Sequence, residues 1–178
     1  MKGIIFTEFL EMVEKDYGFE VLNRLIDNSN LPSSGVYSGV GTYDYKEFTS
    51  LLLGLSEVLD LDPNRLLKKF GYHVFETFRS NYSVFFENVN HPFQLLEQVD
   101  SHVHKEVLKL YPDAQLPKFN TVRRAENKMD MLYDSTRRME YFALGLIEAS
   151  LSHFKKESVQ KPCRFNSFVL VISDEPRI

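Results

Sequence analysis

The chain has 178 residues, 43% of them hydrophobic and 13% aromatic, with a net charge of −4 and a pI near 5.8. That length is about one domain's worth and enough to bury a sizeable core, so we treat residues 1–178 as a single domain. Acidity and scattered basic residues argue against nucleic-acid or anionic-membrane partners, and the lone Cys163 excludes a disulfide framework, a thiolate zinc cluster and covalent haem attachment.

The opening "MKGIIFTEFLEMVEKD" turns acidic after a few apolar residues and has no signal-like core. No apolar run approaches the ~18 residues of a membrane span, so the expected location is cytoplasmic. Residues 1–30 read as one or two helices, with Ile5, Phe9, Met12 and Val13 at helical spacing and a break at Gly18. "SNLPSSGVYSGVGTYD" is a loop. Helical patterns follow at 45–60 and from Asp62, which caps a helix whose first turn takes Pro63. Another helix is predicted from Pro92 to just before Pro112.

The pattern then changes. "KFNTVRR", "NKMDMLYDS" and "CRFNSFVLVIS" are short, alternating and rich in β-formers, and predict an antiparallel sheet. Between the last two lies "TRRMEYFALGLIEASLSHFKKE", a long helix. The fold class is therefore α+β: a helical N-terminal half packed on a C-terminal half with a small antiparallel sheet and long helices.

"SHVHKEVLKLYP" holds two histidines two positions apart. At 100° per residue, Leu96, Val99, Val103, Val107 and Leu110 form one apolar stripe, flanked by Phe93 and Tyr111. His104 lies about 50° from its centre, whereas His102 lies about 150° away, among Gln98, Lys105 and Lys109. The two cannot chelate one metal, which argues against a hydrolase site built from His102, His104 and Glu106. His73, His91 and His153 stand in no metal-ligand spacing with His104. An inward histidine is commonly a bland core-edge residue; its usual special task is to ligate a metal. A haem iron needs few protein ligands because the porphyrin supplies four nitrogens. Fifteen Phe and no Trp would suit a flat macrocycle.

"YDSTR" places Tyr133, Ser135 and Arg137 at period two, on one face if the chain is extended. A phenol, a hydroxyl and a guanidinium together suit carboxylates. Alone, such a triplet is as readily a strand edge running into a helix.

His104 with Tyr111 and Pro112, then Tyr133-x-Ser135-x-Arg137, resembles the H-NOX family, haem domains that bind nitric oxide or oxygen and include the haem domain of soluble guanylate cyclase. The resemblance extends to "MKGIIF", to Pro117 in "QLPKF" and to "GLIEASLSHF", and so spans most of the chain. It implies a non-covalent haem b buried between the two halves, with His104 as the iron ligand, Tyr133, Ser135 and Arg137 on the propionates, and Pro117 pressing the porphyrin from planarity. It also implies a distal wall of Ile5, Phe9, Val74, Phe78, Phe142 and Leu146 or their neighbours. Oxygen-binding relatives carry a tyrosine five residues after the motif arginine; here that position is Phe142, and Gly145 keeps the family's register against a slip to Tyr141. The implied ligands are nitric oxide and CO, with O₂ largely excluded. Some relatives bind zinc through several cysteines, which Cys163 alone cannot do. No nucleophile–base pair, phosphate loop or paired-carboxylate site is visible, so the chain reads as a non-enzymatic, bacterial gas sensor. Its implied partner is a separate histidine kinase or cyclic-di-GMP enzyme. The alternatives are an O₂ sensor or store of the same fold, and a related small-molecule-binding domain without haem.

Overall fold

The computed structural model describes the backbone of residues 1–154, 157–158, 161–163 and 167–173, and the side chains of residues 1–154 and 167–172. The Cys163 side chain, and with it the expectation about zinc, lies outside the described residues.

The N-terminal half is helical, as its apolar spacing requires. Helix α1 (Gly3–Tyr17) buries Phe6, Phe9, Met12 and Val13, residues three and four apart on one face. It stops at Gly18, whose φ of 86° is open to glycine but strained for other residues, and α2 (Phe19–Asn28) follows at once. Helix α3 (Tyr45–Leu59) is capped by Asp44, which accepts the Lys46 N–H at 2.9 Å. Helix α4 (Pro63–Asn81) is capped by Asp62, which accepts from Asn64 and Arg65 at 2.9 and 3.1 Å. Phe6, Phe9, Phe48 and Phe70 interlock at the centre, with Phe9 edge-on to Phe48 at 5.2 Å and to Phe70 at 5.3 Å. Part of the chain's phenylalanine content is thus ordinary core.

The segment predicted as one helix from Pro92 is three pieces. Helix α5 (Pro92–Glu97) leads into a π-turn at Val99–Val103, and α6 (His104–Leu110) follows. The Val103 N–H bonds to the Gln98 carbonyl five residues back, at 3.2 Å. The extra residue breaks the uniform 100° phase: Leu95 and Leu96 are buried, Val99, Val103 and Val107 half-buried, and Leu110 is 56% exposed. The predicted stripe therefore fails at its C-terminal end.

Strands β1 (Lys118–Ala125) and β2 (Lys128–Asp134) form a hairpin, with Ala125 paired to Lys128 across Glu126 and Asn127. The third predicted strand is split between β4 (Lys161–Cys163) and β5 (Ser167–Ser173). The sheet order is β1-β2-β5-β3, with β3 at Glu157–Ser158 and β4 also paired to β5, all antiparallel. Alternation sends Met129, Met131, Tyr133, Phe168, Leu170 and Ile172 to one face, against α7 (Glu140–His153) and Phe93. Helix α7 is shorter than predicted, because residues 135–139 form a turn before it. It crosses α4 at Gly71 and Gly145: a Cβ on Gly145 would lie 2.0 Å from the Lys68 carbonyl oxygen. The α+β architecture is as the sequence predicts, and no helix among the described residues is long and apolar enough to cross a membrane.

Candidate functional site

His104 opens α6 immediately after the π-turn. Its side chain is 16% exposed, and Nδ1 lies 2.8 Å from Asp100 Oδ1, one turn back. Burial pushes the imidazole below its ordinary range, and the Asp100 carboxylate opposes that only in part, so the neutral form is favoured. Nε2 has no hydrogen-bond partner among the described residues. A neutral imidazole with a free Nε2 is the state that can donate a lone pair to a metal. His102 is exposed, as the helical phase predicts, with its ring edge-on to Phe85 at 5.3 Å.

Phe119 sits between His104 and the Tyr-Ser-Arg triplet, its ring 6.0 Å from the imidazole and 5.4 Å from Tyr133. Tyr133 is buried in the sheet core, and burial raises its phenol above the usual value against the opposing effect of Ser135 beside it. The expectation that Tyr133, Ser135 and Arg137 share an extended face is corrected here. The strand ends at Asp134, and Ser135 turns the chain by accepting the Arg137 N–H on its Oγ at 3.2 Å. Tyr133 and Ser135 meet through their hydroxyls. Arg137 instead reaches Gln115, donating to its carbonyl at 2.6 Å and its side-chain oxygen at 2.8 Å. That engages two of the guanidinium's five N–H donors, and the others have no partner among the described residues. Tyr45 holds the turn by donating its hydroxyl to the Arg137 carbonyl at 2.7 Å.

Pro117 is half-buried in the segment between α6 and β1. That segment is fastened at three points. Asp113 accepts from Lys2 at 3.0 Å and Thr42 at 3.0 Å, Gln115 accepts from Arg137, and the Phe119 N–H donates to Asp100 Oδ2 at 2.8 Å.

The apolar residues proposed for the distal wall lie on α1, α4 and α7. Ile5, Val74 and Phe142 are half-buried against the N-terminal core, where Phe9 is fully buried, and the Phe142 ring lies 5.0 Å from Phe70. Leu146 packs instead with Phe75, Leu95 and Ala149, while Phe78 stacks on Phe85 at 5.2 Å. Apart from Phe78, these residues divide between two apolar clusters, and with His104 and Arg137 they include the residue types that could hold a haem: an imidazole, apolar side chains and a guanidinium. Among the described residues, no group of three or more His, Cys, Asp or Glu is placed to hold a metal ion by itself.

Sequence reasoning missed Asp100 and Gln115. Asp100 carried a readable signal, since a carboxylate four residues before a histidine shares its helix face. Gln115 carried none.

A family model described as haem-NO-binding matches residues 2–160. Among solved structures, the Fe(II) unliganded H-NOX protein from K. algicida is similar over all of both chains, at 34% identity and a TM-score of 0.89. The H-NOX from Shewanella woodyi, solved in the Fe(II)CO state with IWP-051 bound, is 32% identical, with 99% of this chain and 96% of that one covered and a TM-score of 0.81. An S. oneidensis H-NOX protein in the Fe(II)NO state is 26% identical over 97% and 98% of the two chains, with a TM-score of 0.85. No curated protein matches.

Proposed function

Because this chain belongs to the haem-NO-binding (H-NOX) family, whose members are haem-based gas sensors, we propose that it is a nitric oxide sensor using haem b ligated by His104. The observation that carries this reading is the imidazole itself: buried, held toward its neutral form, set against Asp100 through Nδ1 and free at Nε2. Held here, a haem would supply a ferrous iron able to take up a diatomic gas. Arg137, with Ser135 and Tyr133, anchors the propionates, and Pro117 bears on the porphyrin. Ile5, Phe9, Val74, Phe78, Phe142 and Leu146 keep the gas side apolar.

That apolar wall sets ligand choice. Bound O₂ draws electron density and is stabilised by a nearby donor, which Phe142 cannot provide. Nitric oxide and CO bind ferrous iron without one. His104 on α6 would hold the iron and Pro117 would pack against the porphyrin, so a change of ligand at the iron would be felt by both segments. Two packing arrangements, biased by one ligand, are the basis of a switch. The domain performs no catalysis of its own. Its output passes, in a bacterial cytoplasm, to a separate histidine kinase or cyclic-di-GMP enzyme.

The test is removal of the ligand side chain. His104→Gly should lose most of the Soret absorption of the purified protein and recover it when imidazole is added, whereas His102→Gly should keep full haem content. Full haem content in His104→Gly without imidazole would overturn the assignment.

A further inference from the structure

Asp100 uses both carboxylate oxygens where α6 begins. Oδ2 accepts the Phe119 backbone N–H at 2.8 Å. Oδ1 is buried and lies 2.8 Å from His104 Nδ1, at ion-pair distance but without the alignment of a full hydrogen bond; no other donor among the described residues satisfies it. Leaving such an oxygen unpaired carries a desolvation penalty, so a buried acceptor of this kind calls for a role.

The chemistry of imidazole supplies one. A neutral ring has a single N–H, and a carboxylate beside Nδ1 draws the proton there, leaving the lone pair on Nε2. A carboxylate on the far nitrogen also orients the ring and raises the basicity of the ligating one. The second contact extends the effect. Phe119 is the second residue of β1 and stands two residues beyond Pro117, so one carboxylate touches both the imidazole that opens α6 and the start of the strand that follows the proline. Asp100 lies within the π-turn at Val99–Val103 that leads into His104, a kind of helical irregularity that is frequent at functional sites.

We propose that Asp100 is the positioning residue of this site: it fixes His104 in the tautomer that presents Nε2 to the haem iron, and through Phe119 it couples that ligand to the Pro117 segment. The proposal rests on His104 as the iron ligand. It makes Asp100 a determinant of how firmly the histidine is held, and so of how readily nitric oxide displaces it.

The experiment uses the ferrous, haem-loaded protein and two variants, Asp100→Asn and Asp100→Ala. Resonance Raman reads the iron–histidine stretch, and amide hydrogen exchange reads Phe119. Asp100→Asn removes the charge but keeps an oxygen for the Phe119 N–H. It should shift the iron–histidine band to lower frequency while Phe119 stays protected. Asp100→Ala should lower the band and also speed exchange at Phe119. An iron–histidine band present in the wild type and unmoved in both variants would overturn the positioning role. Unchanged Phe119 protection in Asp100→Ala would overturn the coupling. A haem-loaded wild type with no such band would sink the His104 assignment, and this proposal with it.

Discussion

At residue 142, on the proposed reading, a single side chain would separate two gas preferences. Phe142 is half-buried on α7, its ring against Phe70, and offers no hydrogen-bond donor. The neighbouring Tyr141 packs against the two larger clusters. Phe142→Tyr places a hydroxyl where a bound gas can accept from it, a hydrogen bond of about 1 kcal/mol net or somewhat more. The variant should gain measurable O₂ affinity, by roughly tenfold, in anaerobic-to-air titrations. Unchanged O₂ binding would mean that access or iron electronics decides instead. Residues of this kind were legible because each carries distinctive chemistry: an imidazole, a guanidinium, a phenyl ring where a phenol is at issue. Gln115 was not, since its role rests on contacts from a turn that brings Arg137 to it across 22 positions.

Between elements, the closest approach is the crossing of α4 and α7. Gly71 and Gly145 meet backbone to backbone: a Cβ on Gly71 would lie 2.3 Å from the Phe142 carbonyl oxygen, and one on Gly145 would lie 2.0 Å from that of Lys68. Backbone cannot swing aside as a flexible side chain can. Gly145→Ala should therefore cost about 3 kcal/mol, the upper end for overpacking, read as a lower urea midpoint. A midpoint within a few tenths of molar of the parent would show that the helices part easily. Most elements here could be read beforehand, because apolar spacing and caps are local properties: Asp62 with Pro63 marked the start of α4, and alternation marked β1 and β2. The π-turn could not, because propensity does not encode an extra residue per turn. The end of β2 was missed for a similar reason: Ser135 bends the chain by hydrogen-bonding to it, where period two had implied a straight strand.

Across the whole molecule, two half-buried tyrosines set an alkaline limit. Tyr37 donates to Glu47 at 3.1 Å and Tyr72 to Glu148 at 3.0 Å, and burial pushes both phenols up to about 12. Their unfolded value is about 10, so the unfolded chain releases these protons first as pH rises. The stability they contribute is complete below about pH 10 and is lost as pH climbs toward 12. Urea midpoints at about pH 9.5 and 11 should fall, and fall less in a Tyr37→Phe/Tyr72→Phe variant; equal slopes would exclude these residues as the cause. The larger expectation, a helical half packed on a sheet-bearing half, was legible because the hydrophobic period switches near residue 112. What joins the halves was not: the Asp113 contacts to Lys2 and Thr42 pair residues far apart in the chain. Gas sensing belongs to the molecule as a whole, and one set of absorption spectra probes it. The dithionite-reduced protein should show a ferrous Soret band that moves, on adding nitric oxide, to the position of a complex without its histidine ligand. A separate reduced sample exposed to air should form no stable dioxygen complex. A lasting O₂ spectrum in air would contradict the selectivity argued from Phe142, and a protein that takes up no haem on reconstitution would contradict the account as a whole.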